Sequence, residues 1–273
     1  MRLARFDGDR IGILADDSIR DVTDWSFAHC GTHARDPFIA FILASSTGAA
    51  PEGPLRKSAG LRWGPPLRHP GKIVAAAANY RKHTQEMNPG KENPGGIREK
   101  GFFLKAPSSI IGPEEAIRLP FAERRTDHEA ELAVIVGKGG RDIPEGSALD
   151  HVFGYTCLLD ITVRGGEDRG FRKSFDTFTP MGPWVTTRDE VPDPNDLEIR
   201  CVVNGETRQH DSTRSMIMAV APLVGWISQV MTLEPGDVIA TGTPAGVAAL
   251  KPGDRVEVAI GRLGTLAVGV AAP

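Results

Sequence analysis

The sequence predicts a β-rich α+β protein, with a small β-containing N-terminal domain over residues 1–65 ahead of a larger domain over residues 70–273. Three observations predict it. The chain holds 31 Gly and 21 Pro among 273 residues, a density of turn formers that favours many short elements with irregular connections. Its apolar residues gather in short β-branched runs, chiefly residues 132–136 and 153–163, which read as buried strands. Between the two units, residues 51–70 are rich in Pro, Gly and Arg with little periodicity, as in a linker.

The elements follow in order. Residues 3–6 and 11–15 form a hairpin around Gly8-Asp9, and a short strand over 19–22 follows. Residues 37–49 carry apolar side chains at helical spacing. Residues 72–78 are a continuous apolar strand leading into a polar segment. Residues 88–101, Asn-Pro-Gly-Lys-Glu-Asn-Pro-Gly-Gly-Ile-Arg-Glu-Lys-Gly, are too polar and too rich in Gly and Pro for a packed element; they read as a flap over a site or as an idle surface loop. Residues 183–185 and 197–204 are strands, the second ending in an Asn204-Gly205 hairpin turn. Residues 215–230 repeat apolar side chains at the spacing of a core-packing helix. Two similar turns, Glu234-Pro-Gly-Asp237 and Lys251-Pro-Gly-Asp254, each start a strand.

Composition removes several function classes. A formal net charge of -3, from 32 basic and 35 acidic residues, gives no electrostatic reason for a nucleic-acid or anionic-membrane partner. No apolar stretch is long enough to span a bilayer, and the first residues lack a signal-peptide core. Three widely spaced cysteines, Cys30, Cys157 and Cys201, read as reduced thiols of a cytoplasmic protein.

The chemistry centres on Asp127-His-Glu-Ala-Glu-Leu-Ala-Val-Ile-Val-Gly137. Glu129 and Glu131 lie two apart at the mouth of a strand and so share one face. A third acid, Asp160, sits in the middle of the second apolar run, residues 153–163. Buried carboxylates repel, and neutralisation by a hard divalent cation, Mg²⁺ first and Mn²⁺ or Ca²⁺ next, is one reading. The other is a solvated strand end, with Asp160 paired to Arg164. His83 and Glu86, three apart, would meet on one helical turn; they are either a base with its orienting carboxylate or an exposed helix start. Lys105 ends an apolar run, where a lysine needs an anion. Lys173, among aromatics, is a surface lysine or a site lysine. The turn Thr241-Gly-Thr-Pro-Ala-Gly-Val247 exposes N–H groups able to hold a carboxylate and lacks the lysine and spacing of a phosphate loop.

Six motifs in this order resemble those of the fumarylacetoacetate hydrolase family: Asn79-Tyr-Arg-Lys-His83-Thr-Gln-Glu86, Phe102-Phe-Leu-Lys105-Ala-Pro-Ser-Ser109, His128-Glu129-Ala-Glu131-Leu-Ala-Val, Leu159-Asp160-Ile-Thr-Val-Arg164, Lys173-Ser-Phe-Asp-Thr-Phe178 and Thr241-Gly-Thr-Pro-Ala-Gly246. The resemblance covers the chain from about residue 72 to its end. It implies a rolled mixed β-sheet catalytic domain in a homodimer, Mg²⁺ or Mn²⁺ on Glu129, Glu131 and Asp160, and a His83–Glu86 dyad on a segment that closes over a 2-oxo or 2,4-dioxo acid. It places Lys105, Arg164, Lys173 and Thr243 near that substrate. Where many acylpyruvate-cleaving relatives carry a Gln three residues after the Arg, this chain has Glu167; it either faces the site as a second base or lies on the surface, and the first is the expectation. The implied activity is hydrolysis of a carbon–carbon bond in an acylpyruvate. Decarboxylation or isomerisation of a 2-oxo dioate uses the same chemistry without water, and a metal-stabilised binding protein without turnover is the alternative outside catalysis.

Overall fold

The computed structural model describes residues 1–32 and 34–273. Its framework is a mixed sheet whose main path begins at Leu55–Lys57 and runs through Ser18–Asp21, Arg10–Ala15, Arg2–Phe6, Thr179–Thr187, Val152–Leu159, Ala130–Val136, Val238–Ala240 and Ile73–Ala76 to Phe102–Lys105. Most neighbours are antiparallel; Val238–Ala240 and Ile73–Ala76 are parallel. A second, five-stranded sheet holds Glu206–Ser212, Glu198–Val203, Arg255–Ile260, Thr265–Ala271 and Ala116–Arg118. The β-rich α+β expectation is met. No helix among the described residues is long and apolar enough to cross a membrane.

Period-2 alternation assigns the faces of the large sheet. Leu132, Val134, Tyr155 and Cys157 point into a core shared with Ile199, Val258 and Val268 of the second sheet and with Leu223 and Ile227 of the Val220–Val230 helix. Ala133, Ile135 and Leu158 point the other way, onto Phe38 and Phe41 of the Pro37–Ser45 helix and Trp25 of Thr23–His29. The Ala130–Val136 strand is thus buried on both faces, which is why it reads as an unbroken apolar run.

Two departures from the sequence reading have physical causes. Residues 51–70 are not an unstructured linker. They carry the short strands Leu55–Lys57 and Trp63–Gly64, and their neighbours are tied down by a buried ion pair. Arg5 and Asp36 are both fully buried; Arg5 Nη2 donates to both Asp36 oxygens at 2.8 Å, and Arg5 Nε to Pro65 O at 2.9 Å. Asp36 also accepts from Phe38 N at 2.8 Å, capping the helix, and from Arg68 N and His69 N at 3.0 Å. Helix Thr23–His29 has no sequence signal, because its N-cap is Val22 with no side-chain hydrogen bond. The expected helix over 215–230 begins only at Val220. The preceding residues form the short 3-10 turn Thr213–Ser215 and a bend held against Asn79, whose carbonyl accepts from Ile217 N at 2.7 Å and whose Oδ1 accepts from Met218 N at 2.8 Å.

Replacing Asp36 by Ala removes the buried partner of the Arg5 guanidinium, leaving it only the exposed Asp9 as a carboxylate partner, and uncaps a helix. Asp36→Ala should lower unfolding stability by roughly 3–5 kcal/mol, the cost of breaking a buried pair. Urea unfolding curves check this; a change below about 1 kcal/mol, an exposed pair's scale, would contradict the pair's assigned role.

Candidate active site

Strand register brings the carboxylates together. Ala130 pairs with Leu159 and Glu131 with Leu158, so Glu129 and Asp160 flank the end of the same ladder, and Asp160 N donates to Glu129 O at 2.8 Å. One oxygen from each of Glu129, Glu131 and Asp160 lies within 4.8 Å of the others, and all three residues are buried. Three bases converge on them. Lys105 Nζ donates to Asp160 Oδ1 at 2.5 Å and to Phe178 O at 3.0 Å. Lys173 Nζ donates to Glu129 Oε2 at 2.7 Å and to Asp160 Oδ2. Arg164 donates through Nη2 to Glu129 Oε1 at 2.8 Å and through Nε to Asp127 Oδ2 at 2.7 Å. Asp160 therefore pairs with the two lysines and not with Arg164.

The acids respond differently to this field. Burial by itself would raise Glu129, but the Lys173 ammonium and Arg164 guanidinium reverse it and hold Glu129 well below the usual carboxylate range. Glu131 has no such partner; burial and then the Asp160 charge push it well above that range. Burial opposes the charge on Lys173, and Asp160 and Glu129 more than offset this and raise it. The donors fit a hard divalent ion: three carboxylate oxygens converge and no thiol or imidazole belongs to the set.

The dyad sits opposite. His83 and Glu86 lie on the Arg81–Glu86 helix, with His83 Nδ1 3.3 Å from Glu86 Oε2. The expected carboxylate-holding turn does hold carboxylates, and they are the protein's own. Gly242 N donates to Glu131 Oε2 at 2.7 Å, and Gly246 N to the two Glu86 oxygens at 3.0 and 3.2 Å. Gly246 has φ +100°, and a Cβ there would lie 2.1 Å from Arg208 O. A cavity of about 710 Å³ brings together His83, Glu86, Glu129, Glu131, Asp160, Arg164, Lys173 and Thr243.

Two expected site residues are not on its wall. Lys105 is buried behind Asp160. Glu167, expected to face the site, turns away: Arg124 Nη2 donates to its Oε2 at 2.8 Å, and that hydrogen bond holds its pKa down. The pair folds back over Gly165, where a Cβ would lie 2.3 Å from Glu167 Oε2, so the glycine permits the outward turn. Two residues carry the site without having been singled out. Asn79 Nδ2 donates to Met218 O at 2.9 Å and Thr241 O at 2.8 Å, fixing the start of the His83 segment against the glycine turn. Gln209 Oε1 accepts from Ala130 N at 3.0 Å, and its Nε2 donates to Thr243 Oγ1 at 2.8 Å and Pro244 O at 2.7 Å. Asn79 stands in a quoted motif; Gln209, on a polar edge strand, gives no signal.

A mixed sheet carrying a buried three-carboxylate cluster beside a His–Glu pair defines a metal-site fold of the type the motifs resemble. The family profile described as fumarylacetoacetate hydrolase, C-terminal, matches residues 72–271. The chain belongs to the fumarylacetoacetate hydrolase family. It is 38% identical to a maleylpyruvate hydrolase of Aquipseudomonas alcaligenes, covering 99% of both chains. It superposes on the crystal structure of maleylpyruvate hydrolase from Sphingobium sp. SYK-6 in complex with manganese(II) and pyruvate with TM-score 0.83 and 38% identity, covering 100% of this chain and 99% of that one. It is also similar to 2-hydroxyhepta-2,4-diene-1,7-dioate isomerase from Mycobacterium marinum, with TM-score 0.76, 33% identity and coverage of 100% and 98%.

Removal of one base tests the charge compensation. Lys173→Met leaves Glu129 and Asp160 short of a cation, so the metal-free protein should lose roughly 3–5 kcal/mol of stability. Added Mg²⁺ should restore part of it by mass action. Thermal unfolding with EDTA and with Mg²⁺ gives the comparison, and an equal loss in both would contradict the account.

Proposed function

We propose that this chain is a divalent-metal-dependent hydrolase that cleaves a carbon–carbon bond in a 2,4-dioxo acid of acylpyruvate type, giving pyruvate or another 2-oxo acid and a carboxylic acid. The observation that carries the reading is that a three-carboxylate cluster and a His–Glu dyad share one cavity. Full-length similarity to maleylpyruvate hydrolases supports it. Glu129, Glu131 and Asp160 would hold the ion, with Mg²⁺ preferred and Mn²⁺ accepted. When bound, it supplies a Lewis acid for the 2-oxo acid end and offsets negative charge that develops on the leaving group.

The chain's own residues do the rest. Glu86 takes the Nδ1–H of His83 and leaves Nε2 as the basic nitrogen, which removes a proton from water. The hydroxide attacks the carbonyl distant from the 2-oxo acid. The bond between that carbonyl and the pyruvate unit breaks with its electron pair going to the pyruvate unit as an enolate, and the proton held by His83 returns to the enolate carbon. The Gly246 N–H holds the Glu86 carboxylate in place. Lys173 and Arg164 offset charge on the substrate, and Thr243 offers a hydroxyl beside it. Lys105 acts through Asp160. Residues 1–65 are proposed as an accessory domain to a catalytic domain over 70–273, consistent with the family profile's start at residue 72. A cytoplasmic homodimer completes the reading.

Two experiments test it. His83→Ala should lower hydrolysis by at least about a hundredfold, the scale of a general base, and Glu86→Gln somewhat less. Near-normal turnover by His83→Ala removes the dyad from the mechanism. Glu129→Ala and Asp160→Ala should each abolish activity and weaken Mg²⁺ binding by calorimetry; unchanged affinity in both removes the metal assignment. Product analysis in the same assays separates the readings: a second carboxylic acid marks hydrolysis, CO₂ marks decarboxylation, and an isomer alone marks tautomerisation.

A further inference from the structure

The basic side chains of the cavity fall into two groups. Arg125, Arg164 and Lys173 are paired with Asp127, Glu129 or Asp160. Lys100, Arg169 and Arg172 line the same cavity, and among the described residues none of them has a carboxylate within 4.0 Å. Their contacts are to backbone: Arg172 Nε donates to Glu167 O at 2.8 Å, and Arg169 Nη1 to Lys100 O at 3.5 Å. The last contact sets the Arg169 guanidinium against the backbone of Lys100 at the wall of this cavity. Burial, and then the like charges of Arg164 and Arg169, push Arg172 below the usual arginine range.

Two of the three cations are joined to the carboxylate cluster through one element. Arg169 and Arg172 are three apart on the helix Arg169–Lys173 and share a face, and Lys173 follows at once. The Phe103 ring carries Lys173 Nζ 5.1 Å from its centroid and the Arg169 guanidinium at 5.9 Å. A ligand held at Lys173 therefore has Arg169 and Arg172 within one helical turn, a rise of about 5.4 Å. Like charges crowded in a concave, partly buried site repel unless an anion joins them, and guanidinium groups suit a carboxylate.

We infer that Lys100, Arg169 and Arg172 form a second anion subsite, which takes the distal carboxylate of a dicarboxylic 2,4-dioxo acid and makes this chain prefer such substrates to acylpyruvates with a neutral tail. The inference rests on the proposed hydrolase reading. It differs from a merely solvated rim of charge, which would treat both substrate classes alike.

The test compares a dicarboxylic substrate, maleylpyruvate, with neutral-tailed acetylpyruvate, both with Mg²⁺. The ratio of their kcat/KM values should favour the diacid by at least about tenfold, the scale of one charge-assisted hydrogen bond. In the double variant Arg169→Met, Arg172→Met that ratio should fall at least about tenfold, mainly through KM for the diacid. The Arg→Lys pair should recover part of it, and raising the salt should weaken the diacid more than the monoacid. If the double variant does not fold, Arg169→Met and Lys100→Met singly give the same ratio. A ratio unchanged by these substitutions, or a wild-type preference for acetylpyruvate, overturns the subsite while leaving the hydrolase reading intact. Hydrolysis of neither substrate overturns the hydrolase reading instead. The subsite is then judged by calorimetry with 2-oxoglutarate and 2-oxobutyrate: loss of affinity confined to 2-oxoglutarate in the double variant supports it, and equal affinities refute it.

Discussion

The structure depends on one electrostatic constraint. Glu129, Glu131 and Asp160 lie buried with oxygens within 4.8 Å of one another, an arrangement that repels itself unless cations enter with it. The fold supplies them from three separate elements: Lys105 from an edge strand, Arg164 from the chain after Asp160, and Lys173 from the short helix beyond. Arg164 and Lys173 grip Glu129 and Lys105 and Lys173 grip Asp160, so the uncompensated acid is Glu131, whose charge burial and Asp160 oppose. The cluster is therefore close to balance by itself. A divalent ion added to it would leave the cavity positive, and Arg169 and Arg172, which among the described residues have no carboxylate within 4.0 Å, add to that sign. Both features direct the site towards an anionic ligand.

Burial of the cluster follows from the sheet. The strands Ala130–Val136 and Val152–Leu159 are covered on one face by the second sheet and on the other by the N-terminal helices. The acids emerge where these strands end, so their backbone is fixed by the ladder and only their side chains reach the cavity. The N-terminal residues contribute from a distance. They extend the sheet and cover the back of the strands that carry the acids, and the Arg5–Asp36 pair holds their turns in register.

Legibility in the sequence tracked how local the cause was. The carboxylate cluster was readable because its determinants are local: two Glu at strand spacing ahead of an apolar run, and one Asp inside another. The two Pro-Gly-Asp turns were readable for the same reason. Asp237 accepts from Glu234 N and Asp254 from Lys251 N, each at 2.7 Å, so each turn closes on itself. Features that depend on distant partners were not. Lys105 could be seen to need an anion, but Asp160 lies 55 residues away. The direction of Glu167 is decided by Arg124, 43 residues earlier, and by two glycines that permit either course. Gln209 holds Thr243 and the strand that carries Glu131 from a sheet edge with no motif of its own.

The segment Thr241-Gly-Thr-Pro-Ala-Gly246 shows how one local sequence sets the distance between the two halves of the site. Gly242 N holds Glu131 in the carboxylate cluster, and Gly246 N holds Glu86 of the dyad. The two N–H groups are four residues apart, so the carboxylate cluster and the His83–Glu86 pair are spaced by one short stretch of backbone. That turn needs φ +96° at Gly242 and +100° at Gly246, values that residues with a Cβ rarely adopt. At each, an added Cβ would also collide, with Asn79 Cβ at 2.8 Å and with Arg208 O at 2.1 Å. Asn79 and Gln209 then fix the turn from both sides, through Thr241 O and Thr243 Oγ1. The glycines are required by the carboxylates they hold, and the carboxylates keep their spacing because the glycines cannot be replaced. The spacing of Glu86 and Glu131 is therefore set in advance by this backbone turn.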